Sequence, residues 1–156
     1  MLRRIALFVA AAGACVAAHN ATAQSSDAYS ARLGWVPISL SEQRLVSGRG
    51  SVTATLSRSR LLVAGSFSGL PSPATSARLH LGAATGVRGP EIAAFDVTGQ
   101  TDGTFAGELE LSDSQRRALL AGQLYVQIYA ETGVPPDDSI LRGWLLATNG
   151  RRERVR

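Results

Sequence analysis

From Leu33 onward, apolar side chains recur at every second position in short runs, and clusters of Gly, Pro and Ser break the runs at intervals of about eight to twelve residues. Leu33, Trp35 and Ile38 mark a first run, in which Pro37 signals a sheet edge or a bulge. "SVTATL" (51–56) sets Val52, Ala54 and Leu56 against Ser51, Thr53 and Thr55, and "RLLVAGSF" follows a break at Ser57 and Arg58, the pattern of a hairpin. After the loop "GLPSP", the run "ARLHL" places Ala77, Leu79 and Leu81 on one face and Arg78 and His80 on the other. "EIAAFDV" lies between the turns "GVRGP" and "TGQTDG", the second of which contains Asp102-Gly103, a favoured hairpin dipeptide. "TFAGELEL" alternates Phe105, Leu109 and Leu111 with Glu108 and Glu110. "QLYVQIYA" sets Leu124, Val126 and Ile128 against Tyr125, Gln127 and Tyr129, and "LRGWLLA" closes the series.

One segment changes period. In "SDSQRRALLAG", Ser112 and Gln115 have the spacing of a capping box and Gly122 stands where a helix C-terminus is capped, so a short helix is predicted near 113–121. Ala118, Leu119 and Ala121 are expected to face inward and Arg116 and Arg117 to face water. The period-two runs with one helix predict an all-β chain of seven or eight strands, an antiparallel sandwich or barrel. There is no internal repeat.

The N-terminus reads differently. Arg3 and Arg4 precede a 14-residue apolar stretch, Ile5 to Ala18, and Ala21-Thr22-Ala23 supplies a small-residue cleavage pattern, so residues 1–23 are expected to be a secretory signal peptide cut after Ala23. Fourteen residues fall short of the roughly 20 needed to cross a bilayer, so no transmembrane span is expected in the mature chain. An alternative uses Cys15, the single cysteine: "AGAC" is like a lipoprotein processing site, although Ala12 stands where such sites usually carry leucine. Cleavage after Ala23 leaves no cysteine, compatible with an oxidising compartment and a secreted or periplasmic protein. Beyond the signal lie a short lead (24–29), one domain (30–148) and a basic tail (149–156).

Charge excludes one class of partner. All 16 basic residues of this 156-residue chain are arginines, and its net charge is +4. Residues 1–26 carry +2 and residues 151–156 carry +3, while residues 27–150 carry −1. A nucleic-acid footprint needs basic residues clustered on the folded domain, so no nucleic-acid partner is expected.

"SVTATL", "GSFSGLPSPATSARLHLGAATGVRGP" (65–90), "GELELSDSQRRALLAGQLYVQIY" (107–129) and "LRGWL" (141–145), in that order, resemble the chordin-type (CHRD) domain family over residues 30–147. The resemblance implies an immunoglobulin-like β-sandwich in a secreted or cell-surface protein. In chordin the domain belongs to an extracellular growth-factor antagonist, and most microbial members have no assigned activity. The sequence also departs from the pattern. Where the family carries two histidines in an "A-H-I-H" strand and another in a "V-H-T" strand, this chain has Arg78, His80 and Tyr129. Ile140 replaces an acidic residue before "I-R-G", whereas Arg142 and Gly143 are kept.

A zinc site needs three or four ligands at about 2.0–2.2 Å, and one histidine cannot supply them. His80 could make a metal site only with Glu131, Asp137 or Asp138, should that loop fold back over the sheet; the expected role of His80 is an ordinary hydrogen bond, and no cofactor is expected. Arg78 is expected to stack on Tyr129 or pair with Glu131. Arg142 is expected to clamp Asp137 or Asp138, and Gly143, inside an apolar strand, to mark a close backbone approach beside Trp144. Trp35 and Trp144 are expected in the core. No "G-x-S-x-G" elbow is present, and Glu108 and Glu110, about 7 Å apart along one strand, fit a solvated sheet face. The expected function is non-enzymatic: an interaction or structural module with an unknown protein or cell-envelope partner, contacted through the loops "GLPSPATS" and "TGVPPDDS". A metal-binding periplasmic protein using His80 and nearby acids is the alternative.

Overall fold

Alternation of large apolar and small polar side chains forces each run to bury one face, and the runs do so by wrapping around a shared interior. In a computed structural model, which describes residues 27–148, the strands are β1 (Asp27–Trp35), β2 (Arg49–Ser57), β3 (Arg60–Ser68), β4 (Ala74–Leu81), β5 (Glu91–Phe95), β6 (Gly103–Glu110), β7 (Leu124–Val134), β8 (Ser139–Trp144) and the two-residue β9 (Leu146–Ala147). The one α-helix of the described residues, α1, spans Asp113–Leu120, and a 3-10 helix that the pattern did not predict spans Leu40–Leu45. The signal segment, its cleavage site, Cys15 and the basic tail lie outside the described residues.

The strand order is β5-β4-β7-β8-β1-β2-β3-β6, with β9 beside β1, and all pairs are antiparallel. β1 belongs to both halves: Asp27 to Leu33 pair with β2, whereas Gly34 and Trp35 pair with β8. On the far side a single bridge between Val97 and Phe105 links the ends of the path, so the sandwich is nearly a closed barrel. The β3–β4 and β6–β7 connections cross between the two halves in Greek-key fashion, the second by way of α1.

The interior takes the predicted apolar positions: Val52, Ala54, Leu56, Leu61, Val63, Leu79, Leu124, Val126, Ile128 and Leu141 are all buried. Large rings fill the space that glycines leave open. A Cβ on Gly65 would lie 2.4 Å from the Phe105 ring, and one on Gly107 would lie 2.4 Å from the ring of Phe95. Those two rings stack with centroids 6.1 Å apart.

Local readings shift in four places. Ser57 pairs with Arg60, so the hairpin turn is Arg58-Ser59, with Arg58 at φ 57°, one residue beyond the predicted break. In α1, Ser112 accepts from the Gln115 amide as the capping box requires, and Ala118 and Leu119 are buried. Ala121 is exposed instead of inward, because the helix ends at Leu120 and the chain turns at Gly122 (φ 69°). Trp35 is 58% exposed, and its indole N–H donates to the Gly48 carbonyl at 3.0 Å. The cause is the change of partner at Gly34: Tyr29, Ala31 and Leu33 point inward, and the next buried side chain is Val36. Trp144 is half-buried on the outer face, because Gly143 takes the inward position.

Candidate functional site

The polar face of β4, β7 and β8 is a small lattice fixed by register. Arg78, Gln127 and Arg142 form one row across the three strands, and His80, Tyr125 and Trp144 form the next. Tyr129, two residues along β7 from Gln127, lies on the same face. This face is exterior to the core and is nonetheless largely covered: Tyr125, Gln127 and Tyr129 are buried and His80 is only 7% exposed. Two loops supply the cover, Arg88-Gly89 from the β4–β5 connection and Asp137 from the β7–β8 connection.

His80 sits between two tyrosines. Its ring stacks on Tyr125, with centroids 4.8 Å apart and planes 9° apart. Nδ1 lies 3.2 Å from the Gly89 carbonyl, and Nε2 lies 3.0 Å from the Tyr129 hydroxyl. A carbonyl can only accept, so Nδ1 carries the proton, and in the neutral ring Nε2 accepts from Tyr129. Burial lowers the His80 pKa, outweighing the Gly89 hydrogen bond and the nearby Glu91 charge, and burial raises the Tyr129 hydroxyl, so both groups hold the protonation this pair needs. Tyr125 fixes the same loop from the other side, donating to the Gly89 carbonyl and accepting from the Gly89 N–H, both at 3.2 Å.

The arginines surround this pair. Arg78 lies 4.4 Å above the Tyr129 ring, as expected, but its carboxylate is Glu91 at 3.1 Å on the neighbouring strand β5, while Glu131 is exposed. Arg88 pairs with Asp137. Burial pushes the Asp137 carboxyl up, but hydrogen bonds from Ser139 and Arg88 and the Arg88 charge hold it below the usual carboxylate range. Arg142 donates Nε–H to the Gln127 amide oxygen at 2.8 Å and lies 5.4 Å from the Tyr125 ring centre, so its clamp is the buried Gln127 rather than an aspartate. Gly143 makes the close approach anticipated: an added Cβ would lie 2.5 Å from the Arg32 carbonyl. Asp138 (φ 56°) closes its loop, with a carboxylate oxygen 3.4 Å from the Gly133 N–H.

His80, Asp137 and Asp138 therefore each have protein partners, and a metal ion at Nε2 would have to displace the Tyr129 hydroxyl. Among the described residues no three of the His, Cys, Asp and Glu side chains gather as a metal would require. Arg88, Tyr125, Gln127 and Glu91 belong to the cluster although sequence reasoning did not single them out. The alternation of β7 was the available signal for Tyr125 and Gln127, since it set them on the same side as Tyr129.

The CHRD domain family model matches residues 36–135, from the end of β1 into the β7–β8 loop. The chain belongs to the CHRD domain family. CHRD domains are modules of a non-enzymatic, extracellular type. No curated protein and no solved structure matches this chain. In this CHRD domain β8, with Arg142 and Gly143, follows the matched segment and completes the polar face begun by β4 and β7. No helix among the described residues is long and apolar enough to cross a membrane.

Proposed function

We propose that this CHRD domain works outside the cytoplasm, secreted or periplasmic, as a non-enzymatic module that engages a protein or cell-envelope partner through its paired loops. The observation that carries the reading is the junction of "GLPSPATS" and "TGVPPDDS". The Thr132 N–H donates to the Ser72 hydroxyl at 2.9 Å, that hydroxyl donates to the Thr132 carbonyl at 3.0 Å, and the Glu131 N–H donates to the Pro73 carbonyl at 2.9 Å. Two loops that could move separately thus present one surface, with Pro71, Thr75, Pro135 and Pro136 exposed on it. A prearranged loop surface loses less entropy on binding. The leader pattern of residues 1–23 and the type of the family support the location.

The test has two readouts. Expression from the full sequence, followed by fractionation and intact-mass measurement, is expected to give a chain beginning at Gln24 outside the cytoplasm. An uncleaved cytoplasmic chain would overturn the location. A photo-crosslinker at Thr75 or Pro136 is expected to give a discrete adduct in the native envelope, whereas the same group at Thr53, on the opposite half of the sandwich, is not. Equal labelling from all three positions would overturn the loop surface.

A further inference from the structure

Of the three arginines around the His80–Tyr129 pair, two have carboxylate partners. Arg78 has Glu91 and Arg88 has Asp137, but among the described residues no carboxylate lies within ion-pair distance of Arg142. Its guanidinium is half-buried and held in place, with Nε bonded to the fully buried Gln127 and the group lying beside the Tyr125 ring. The two terminal nitrogens have no hydrogen-bond partner among the described residues. Desolvated charges are ordinarily paired, and an arginine that spends Nε on its own positioning keeps its planar fork for something else.

The fork borders two spaces. On one side is a cavity of about 140 Å³ lined by Arg88, Ser139, Val36, Val134 and Pro135, enough for roughly four water molecules. On the other is an open groove of about 870 Å³, with Arg32 as a second cation and with Ser30, Trp144 and Thr148 along it. Arg142 lines both, and among the described residues no acidic side chain lines the groove. We propose that Arg142 is the anchor of an oxyanion-binding site: the carboxylate or phosphate group of a ligand takes the guanidinium fork beside Arg88, and the ligand body lies in the groove toward Arg32 and Trp144. Guanidinium geometry suits both groups, because each presents two oxygens to parallel N–H donors. The site shares Pro135 with the paired-loop surface, but it rests on Arg142 and can stand if that surface does not.

The test is a titration of the mature chain, followed by the arginine Nε–H resonances in proton–nitrogen spectra. Inorganic phosphate and acetate are the two probes, each at constant ionic strength against chloride. A saturable shift of the Arg142 resonance is expected with at least one probe, and the probe that gives it identifies the group. Arg142→Gln should weaken that binding about tenfold or more. Gln127→Glu, which keeps the side-chain shape but brings a carboxylate to Arg142, should weaken it likewise. The wild-type titration decides the matter even if a variant does not fold. An Arg142 resonance that stays still with both probes, or that moves no differently from its response to chloride, overturns the site.

Discussion

Tyr129 donates its hydroxyl to Nε2 of His80 at 3.0 Å across 49 positions of sequence. The two residues lie on neighbouring strands, and the bond runs on the diagonal, because His80 stands opposite Tyr125 in the register. His80 is thus held at three points: the Tyr129 hydroxyl, the Gly89 carbonyl and the face of Tyr125. The result is a neutral hydrogen-bonded pair that ties the β4–β5 loop to the sheet.

That arrangement predicts coupled losses of stability. His80→Phe keeps a ring against Tyr125 but leaves the buried Tyr129 hydroxyl without a partner and the Gly89 carbonyl with Tyr125 alone, a cost of about 1–3 kcal/mol. Tyr129→Phe leaves Nε2 without a donor and should cost about 1 kcal/mol. The double variant removes both partners of the bond and should lose less than the sum, by at least about 0.5 kcal/mol. Urea midpoints of the four proteins give the cycle, and strict additivity would remove the bond from the account.

The cluster was only half legible in the sequence, for a physical reason. Period two separates inward from outward residues along a strand, so it assigned Leu79, Val126 and Ile128 to the core and His80, Tyr125 and Tyr129 to the other face. It contains no information about register between strands or about which loop returns. Arg78 accordingly reached Tyr129 as expected but paired with Glu91 on β5 instead of Glu131. Arg142 likewise found Gln127 rather than an aspartate. Trp35 shows a further limit, because the switch of β1 from β2 to β8 at Gly34 breaks the alternation that would have buried it.

Gly143 and Gly34 form a matched test of backbone approach. A methyl at Gly143 would meet the Arg32 carbonyl at 2.5 Å and the side chains of Ala31 and Leu33 at 3.0 Å, two of these neighbours being core and one being backbone. Gly143→Ala should therefore destabilise by about 1–3 kcal/mol. At Gly34 nothing lies within 4 Å, so Gly34→Ala should be neutral or stabilising by up to about 1 kcal/mol. Thermal unfolding of both variants tests the contrast, and equal midpoints would contradict it.

The helix start offers a smaller, local effect. The Ser112 hydroxyl accepts from the Gln115 N–H at 3.2 Å, and the Gln115 side chain accepts from the Ser112 N–H at 2.8 Å. Ser112→Ala removes the first bond and should cost about 1 kcal/mol, whereas Ser112→Asp, which can still accept and suits the helix N-terminus, should recover most of it. Chemical denaturation is the measurement, and an alanine variant as stable as the parent would show that the box contributes nothing here.

Protonation should destabilise the fold in two separate windows. Burial lowers the folded His80 pKa below its ordinary 6.5, so the unfolded chain takes up a proton first as pH falls. The His80 contribution is complete above about pH 6.5 and is lost as pH falls through the folded value. Glu91, Arg78 and Arg88 face the ring and adjust this shift without reversing it. Asp137 is held below its ordinary 3.8, so its contribution is present above that value and is lost only in stronger acid. Exposed Glu42 and Asp113, lowered by Ser39 and by Arg116, share this acid window. His80→Gln should therefore flatten the stability profile just below about pH 6.5 while leaving the acid limb intact. Asp137→Asn should soften the acid limb and leave the upper one. Urea midpoints from about pH 8 to pH 3 separate the two, and an upper limb unchanged in His80→Gln would mean that the neutral His80–Tyr129 pair is not what acid disrupts first.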